Sequence, residues 1–179
     1  MRPEDILYFW FTEAGEGAWW QKSKMFDDLV RRRFLPVYEV AVAGELDGWR
    51  ASPRGRLAEI IVLDQFPRNM FRDTPQSFAA DPLALVLSQE AVRAGADASL
   101  APDECAFLLM PYMHSESRAV HEEAVRLFTR PGLENNLDFE MRHKAIIDRF
   151  GRYPHRNAIL GRQSTPEELE FLKQPGSSF

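Results

Sequence analysis

The chain has 179 residues, of which 45% are hydrophobic and 27% charged, and its formal net charge is -5. This size and composition predict one globular domain with a core of its own. An acidic chain with one basic segment lacks the extended basic face that nucleic acids require, and no apolar run is long enough to cross a membrane. We therefore expect a soluble cytoplasmic protein without a nucleic-acid or membrane partner.

The cysteine content indicates a reducing compartment. The single cysteine, Cys105, cannot form a disulfide within the chain, and an apolar run, Ala106–Leu109, follows it. Such a setting is typical of a small buried side chain. The acidic N-terminus also lacks the positive charge of a secretory signal peptide.

Clear start signals mark the helices along the chain. Proline is favoured at the first helical position, and a preceding Ser, Thr or Asp can cap the free N–H groups of the first turn. Two prolines, Pro3 and Pro102, are followed by first-turn acids, which favour the positive end of a helix. Three further starts combine a capping side chain with proline: Ser52-Pro53, Asp81-Pro82 and Thr165-Pro166, the last with the spacing of a capping box.

Apolar residues recur at helical spacing along almost the whole chain, and strand signals are almost absent. This pattern predicts an all-α fold of about seven helices in stacked antiparallel hairpins, as a superhelix or an irregular bundle. No linker divides it, so residues 1–179 are expected to form one domain with a loose tail over 175–179. The predicted helices span residues 3–11, 22–43, 53–64, 81–94, 102–113, 116–129 and 136–150, with a short one from 166.

The helix from Pro53 leads to a polar segment. The apolar residues Leu57, Ile60 and Ile61 define a face that continues to Asp64, which therefore points inward and needs a partner. Pro67 disfavours a helical conformation just before it and predicts a turn over 64–69. This segment is either a helix end that satisfies its own carbonyls or a loop that lines a pocket.

The helix from Pro102 is apolar around its whole circumference and is expected at the centre of the domain. Pro111 removes a backbone donor and predicts a kink or break close to His114. His114 is either a residue of a site or a buried histidine that caps the helix end. Ser115 beside it is a poor catalytic partner because neighbouring residues on a helix point about 100° apart.

The most unusual stretch is Arg149–Arg162, which holds four arginines and one histidine and no acid. Arginine guanidinium groups bind carboxylates and phosphates through paired hydrogen bonds. The stretch is therefore either an anion-binding site or a structural knot that ties helix ends together. The Tyr153-Pro154 pair predicts an extended turn before His155.

Four segments of the chain form a recognisable set: Ile6–Phe11, Leu63–Asn69, Pro111–Glu116 and Arg149–Thr165. Together they resemble the uncharacterised bacterial family called domain of unknown function 924. The resemblance implies an all-helical fold similar to tetratricopeptide-like superhelices and no established activity. The chain departs from the family's pattern at Met113 and His121, where an acid and a glutamine are common.

Metal and cofactor chemistry find little support in the sequence. A di-metal carboxylate site in a helical bundle needs two Glu-x-x-His pairs, and only Glu140 and His143 have that spacing. No paired histidine or cysteine spacing indicates zinc, and glycine-rich phosphate loops are missing. We therefore expect neither a metal nor a cofactor.

The first functional hypothesis is a polar pocket that binds a small anion or an acidic peptide end. Arg149, Arg152 and Arg156 would clamp the anion, and Asp64 and Glu116 would hold the arginines in place. A second hypothesis is a hydrolase or transferase with His114 or His155 as general base. A third is a purely structural ionic network in a protein-interaction domain. The predicted site residues are Asp64, Gln65, Arg68, Asn69, His114, Glu116, Arg149, Arg152, His155, Arg156 and Asn157.

Overall fold

A computed structural model describes all 179 residues and contains helices and turns but no strand. The predicted all-α fold is confirmed. A π-helical segment, Phe9–Ala14, continues the first helix, and short 3-10 turns join several others. The α-helices are α1 (Pro3–Tyr8), α2 (Glu16–Trp19), α3 (Lys24–Val42), α4 (Pro53–Asp64), α5 (Phe66–Met70), α6 (Asp81–Arg93), α7 (Pro102–Met113), α8 (Arg118–Phe128), α9 (Glu134–Phe150) and α10 (Pro166–Phe171).

The start signals explain where the helices begin. The Ser52 hydroxyl accepts a hydrogen bond from the Gly55 amide, and Thr165 and Glu168 form the predicted capping box. Asp81 is an exception, because Ala80 occupies the cap position and Asp81 is the first helical residue. Its carboxylate binds arginines instead, so the expected capping role of Asp81 is wrong.

Helices α4 and α7 form the centre of the molecule. Helix α4 packs against α1, α3, α6 and α7, and nearly all of its residues from Leu57 to Asp64 are buried. The main hydrophobic cluster is built around these two helices. A smaller cluster, formed by Ile146, Ile147 and Tyr153, lies beneath the arginine-rich stretch. Polar side chains connect the elements that carry the two clusters.

Pro67 does not produce the predicted turn, and Pro111 lies inside a helix. Residues 66–70 form helix α5 and not the turn expected from Pro67, because Gln65 keeps helical angles and Pro67 lies in the first turn of the new helix. No backbone donor is needed at that position. Helix α7 continues through Pro111 and ends at Met113, immediately before His114.

The C-terminal tail packs against the domain. Ser177 is buried and its hydroxyl donates to the Leu172 carbonyl, while the Phe179 ring lies 3.8 Å from that of His143. The tail expected to be loose therefore has defined contacts. None of the helices combines the length and the apolar character needed to cross a membrane.

Candidate functional site

Asp64 and His114 form a hydrogen-bonded pair where α4 and α7 end. Asp64 is fully buried, as its place on the apolar face of α4 predicts, and its Oδ1 lies 2.7 Å from His114 Nδ1. The Gln65 amide donates to the other carboxylate oxygen. The carboxylate therefore accepts from both sides and fixes the orientation of the imidazole ring.

The His114 ring is held with one nitrogen free. Its Nδ1 faces Asp64, whereas Nε2 has no hydrogen-bond partner within the protein and is accessible to solvent. Burial and the nearby Arg68 charge lower the pKa of His114. Burial raises the pKa of Asp64, but His114 and Arg68 outweigh it and bring that pKa to about 2. The lowered pKa of His114 favours a neutral imidazole beside the Asp64 carboxylate, and such a ring can accept a proton at Nε2.

One carboxylate, Asp81, holds two arginines behind this pair. Arg68 donates to Asp81 Oδ1 and Oδ2 at 2.9 and 3.0 Å, and Arg156 donates to Oδ2 at 3.2 Å. Arg68 also donates to the Asp64 carbonyl, and Arg156 donates to the His114 carbonyl at 3.1 Å. Asp81 therefore links the two arginines that hold the main chain of the Asp64–His114 pair.

Side chains satisfy three consecutive carbonyls at the end of α7. The last carbonyls of a helix have no partner within it and must find one elsewhere when they are buried. The Tyr153 hydroxyl donates to the Met113 carbonyl at 2.5 Å, and His121 Nε2 lies 2.8 Å from the Ser115 carbonyl. With Arg156 on the carbonyl between them, this end of α7 is fixed where His114 projects.

The remaining arginines of the 149–162 stretch have separate partners. Arg162 forms a paired contact with Glu116, and Arg152 forms one with Glu168. Arg149 lies at the surface beside Glu167. Consequently Arg149, Arg152 and Arg156 do not converge on a shared position, and Glu116 balances Arg162, not the three arginines expected to form the clamp.

The other predicted residues lie around the network. Asn157 is buried and binds Ser164, Glu168 and Arg162. Asn69 lies apart from the pair and donates to Asp27 at 2.9 Å, beside Arg72.

His155 packs among aromatic rings. Its Nδ1 is buried without a partner, its ring packs near Phe179 and Tyr153, and burial lowers its pKa to about 3. Of the two histidines predicted as bases, only His114 borders the cleft described next.

A cleft with a volume of about 400 Å³ opens beside His114. Asp81, Ser115, Glu116 and Arg156 contribute its polar lining. A second depression, of about 520 Å³ at the N-terminus, includes none of the predicted site residues. The apolar lining of the cleft at His114 consists of Pro75, Phe78, Ala79, Pro82, Leu85, Pro111 and Leu160.

Sequence reasoning missed residues that the structure brings to the site. Helix α6 contains none of the predicted site residues, yet Asp81 and Leu85 border the cleft. Phe78 also contributes, since the Arg156 guanidinium lies over its ring at 4.4 Å. The Asp81-Pro82 pair is the sequence feature that could have indicated this role, because an aspartate before proline can form an ion pair as well as cap a helix.

The residues do not assemble a metal centre. No group of three or more His, Cys, Asp or Glu side chains is placed to hold a metal ion. Glu140 and His121 instead bind each other, with Glu140 Oε1 and His121 Nδ1 2.6 Å apart. Met113 and His121, which depart from the family's pattern, lie behind His114 and outside the cleft lining.

The fold and the cleft define an all-helical protein with a carboxylate–histidine pair at the edge of a small cavity. A family model described as a bacterial protein of unknown function, DUF924, matches residues 6–176, and the chain belongs to this family. The resemblance seen in the sequence motifs is thereby confirmed.

A solved structure is similar to this chain throughout. It is described as the protein of unknown function ATU0120 from Agrobacterium tumefaciens, and the two chains are 40% identical. The similarity covers 96% of each chain with a TM-score of 0.91. No match is found among curated proteins. These comparisons establish family and fold, and neither description names an activity.

Proposed function

We propose that the chain is an enzyme of the hydrolytic or transfer type that uses His114 as general base on a small molecule. The observation that carries the proposal is the Asp64–His114 pair, with Nδ1 held by a buried carboxylate and Nε2 unpartnered beside a cleft. A histidine oriented in this way accepts a proton at Nε2, and the carboxylate stabilises the imidazolium that forms. The lowered pKa of His114 favours the neutral form that a base needs.

The charges around the cleft favour proton transfer over anion capture. Arg156 already binds Asp81 and the His114 carbonyl, and Arg162 already binds Glu116. An anion would have to compete with these carboxylates for the guanidinium groups. The anion-clamp hypothesis therefore has less support than the base hypothesis.

We propose that the polar contacts of the 152–162 segment also fix the relative positions of the helix ends. Arg152, Arg162 and Asn157 connect the 152–162 segment to α10 and to Glu116. Each of these contacts satisfies a buried or half-buried group, and removing one partner of such a pair is costly. This role supports the site without touching a ligand.

Two broader features also stay proposals. The successive packing of α6, α7, α8 and α9 is compatible with a tetratricopeptide-like arrangement of helix pairs. Cytoplasmic location is supported by the buried, unpaired Cys105, which suits a reducing compartment.

The experiment that tests the enzyme proposal is a substrate screen followed by two matched substitutions. Panels of esters, amides and acyl or phosphoryl donors identify an activity of the full chain, and His114→Ala is then compared with His155→Ala. We expect His114→Ala to lower kcat/KM about a hundredfold or more, because general base catalysis contributes on that scale. His155→Ala should retain most of the activity, since His155 lies outside the cleft lining.

Circular dichroism and thermal unfolding of both variants show whether the fold is kept. An activity that survives His114→Ala in a folded protein would remove the proposed base. An activity lost only in His155→Ala would transfer the role to that residue.

A further inference from the structure

We infer that the cleft at His114 takes an uncharged ligand with an apolar body and one hydrogen-bond donor group, such as a primary amide or an alcohol. This inference rests on the proposed function, because it names the class of molecule on which the base would act. Three independent features of the cleft lead to it: the apolar walls, the balance of charges and the free nitrogen of His114.

The walls are suited to a hydrocarbon or aromatic group. Phe78, Leu85 on α6 and Leu160 line the cleft together with three prolines. The volume of about 400 Å³ is at the small end of the range for ligand pockets, which is about 300–1,000 Å³. A single ring or a short branched chain with one polar group fits these dimensions.

The charged groups at the cleft already balance one another. Asp64, Asp81 and Glu116 supply three negative charges, and three guanidinium groups oppose them. Each of these carboxylates has a guanidinium partner, and each guanidinium group has a carboxylate partner. A charged ligand would lose part of its hydration and find no free counter-charge, so its binding is disfavoured. The three guanidinium groups belong to Arg68, Arg156 and Arg162.

The free nitrogen of His114 selects the polar group. With Nδ1–H donated to Asp64, Nε2 presents a lone pair and can only accept a hydrogen bond. An amide N–H or an alcohol O–H satisfies it, whereas a carboxylate places two acceptors against it. For an alcohol, the same contact brings the hydroxyl proton to the atom proposed to remove it.

A panel of three probes of one shape tests the ligand class. Benzamide, benzoate and benzylamine are titrated into the full-length chain at pH 7.5, and binding is followed by NMR of the His114 ring and the Leu85 and Leu160 methyl groups. We expect benzamide to bind at least tenfold more tightly than benzoate or the benzylammonium ion. Benzoate binding as tightly as benzamide would overturn the inference in favour of an anion site, and the absence of benzamide binding would also overturn it.

A matched pair of substitutions on α6 locates the binding. Leu85 lines the cleft, whereas the next residue, Val86, is 58% exposed and outside it. Leu85→Asp should weaken benzamide binding at least tenfold, and Val86→Asp should change it less than twofold. Equal effects of the two substitutions would place the probe elsewhere on the surface and contradict the inference.

The ligand class and the catalytic proposal can fail separately. Benzamide binding in the cleft together with an activity unaffected by His114→Ala would keep the ligand class and remove the base. Loss of activity in His114→Ala together with preferred benzoate binding would keep the base and reject the uncharged ligand.

Discussion

Asp81 is the carboxylate that binds two arginines of the candidate site. Its two oxygens accept from Arg68 and Arg156, and these arginines in turn hold the carbonyls of Asp64 and His114. The side chain of Arg156 is only 6% exposed, so its charge depends on this partner. Asp81 is therefore a positioning residue for His114 as well as part of the cleft wall.

Replacing Asp81 with Asn should destabilise the protein strongly. The change removes the counter-charge of Arg68 and Arg156 while leaving both guanidinium groups in place. Breaking a buried ion pair in this way costs about 3–5 kcal/mol, and we expect a loss of that order in the free energy of unfolding, measured by urea denaturation.

An exposed ion pair provides the control for this measurement. Glu123 binds Arg126 at the surface, where these side chains are 42% and 66% exposed. Glu123→Gln should leave the denaturation midpoint nearly unchanged, because water screens such pairs. A similar small effect of Asp81→Asn would show that the two buried arginines do not depend on Asp81.

At the scale of elements, the end of α7 is the part of the fold that determines where His114 lies. The helix stops at Met113, and its last carbonyls are bound by Tyr153, Arg156 and His121. Two of these three residues belong to the arginine-rich stretch. Through these two residues the stretch acts as a clamp on the end of α7. The structural-knot hypothesis for the whole stretch stays a prediction.

Tyr153→Phe tests the clamp with the smallest change. It removes the hydroxyl that donates to the Met113 carbonyl and keeps the ring in its buried position. Leaving a buried carbonyl without a partner costs about 1–3 kcal/mol, so the free energy of unfolding should fall by that amount. Tyr8→Phe, at a side chain that is 58% exposed, is the matched control and should have little effect. Equal unfolding curves for wild type and Tyr153→Phe would contradict the clamp.

Local sequence patterns predicted the helices and the inward-facing Asp64, but not the partners of the site. Asp64 follows an apolar face at helical spacing, so its burial could be derived from α4 alone. Asp81 could not be assigned in this way, because its partners lie 13 and 75 residues away along the chain. Its position before proline also predicted a cap. Pairings over such distances depend on tertiary packing.

Across the whole molecule, buried histidines should make stability depend on pH. Burial lowers the pKa of His143 and of His155 to about 3 and also lowers that of His114. Unfolded histidines take up protons near pH 6.5, so between about pH 6.5 and 3 the unfolded chain binds more protons than the folded chain. Stability should therefore be fully present above pH 6.5 and fall as the pH drops.

Urea denaturation at pH 7.5, 6.5 and 5.5 measures this dependence. Each neutral buried histidine can contribute up to about 1.4 kcal/mol per pH unit below pH 6.5. His143→Gln removes one of these groups and should flatten the slope by up to that amount. A free energy of unfolding that stays constant over the range, or a slope unchanged in His143→Gln, would contradict the expected proton linkage.

The protonation state of His114 is the most direct test of the proposed base. In the full-length chain with ¹⁵N-labelled histidine, the ring nitrogen shifts report both the tautomer and the pKa, and His114→Gln assigns the signals. We predict that His114 is neutral at pH 7, with its proton on Nδ1 facing Asp64 and its pKa below 6.5. A proton on Nε2 at pH 7, or a pKa above 6.5, would contradict the assignment of His114 as the base.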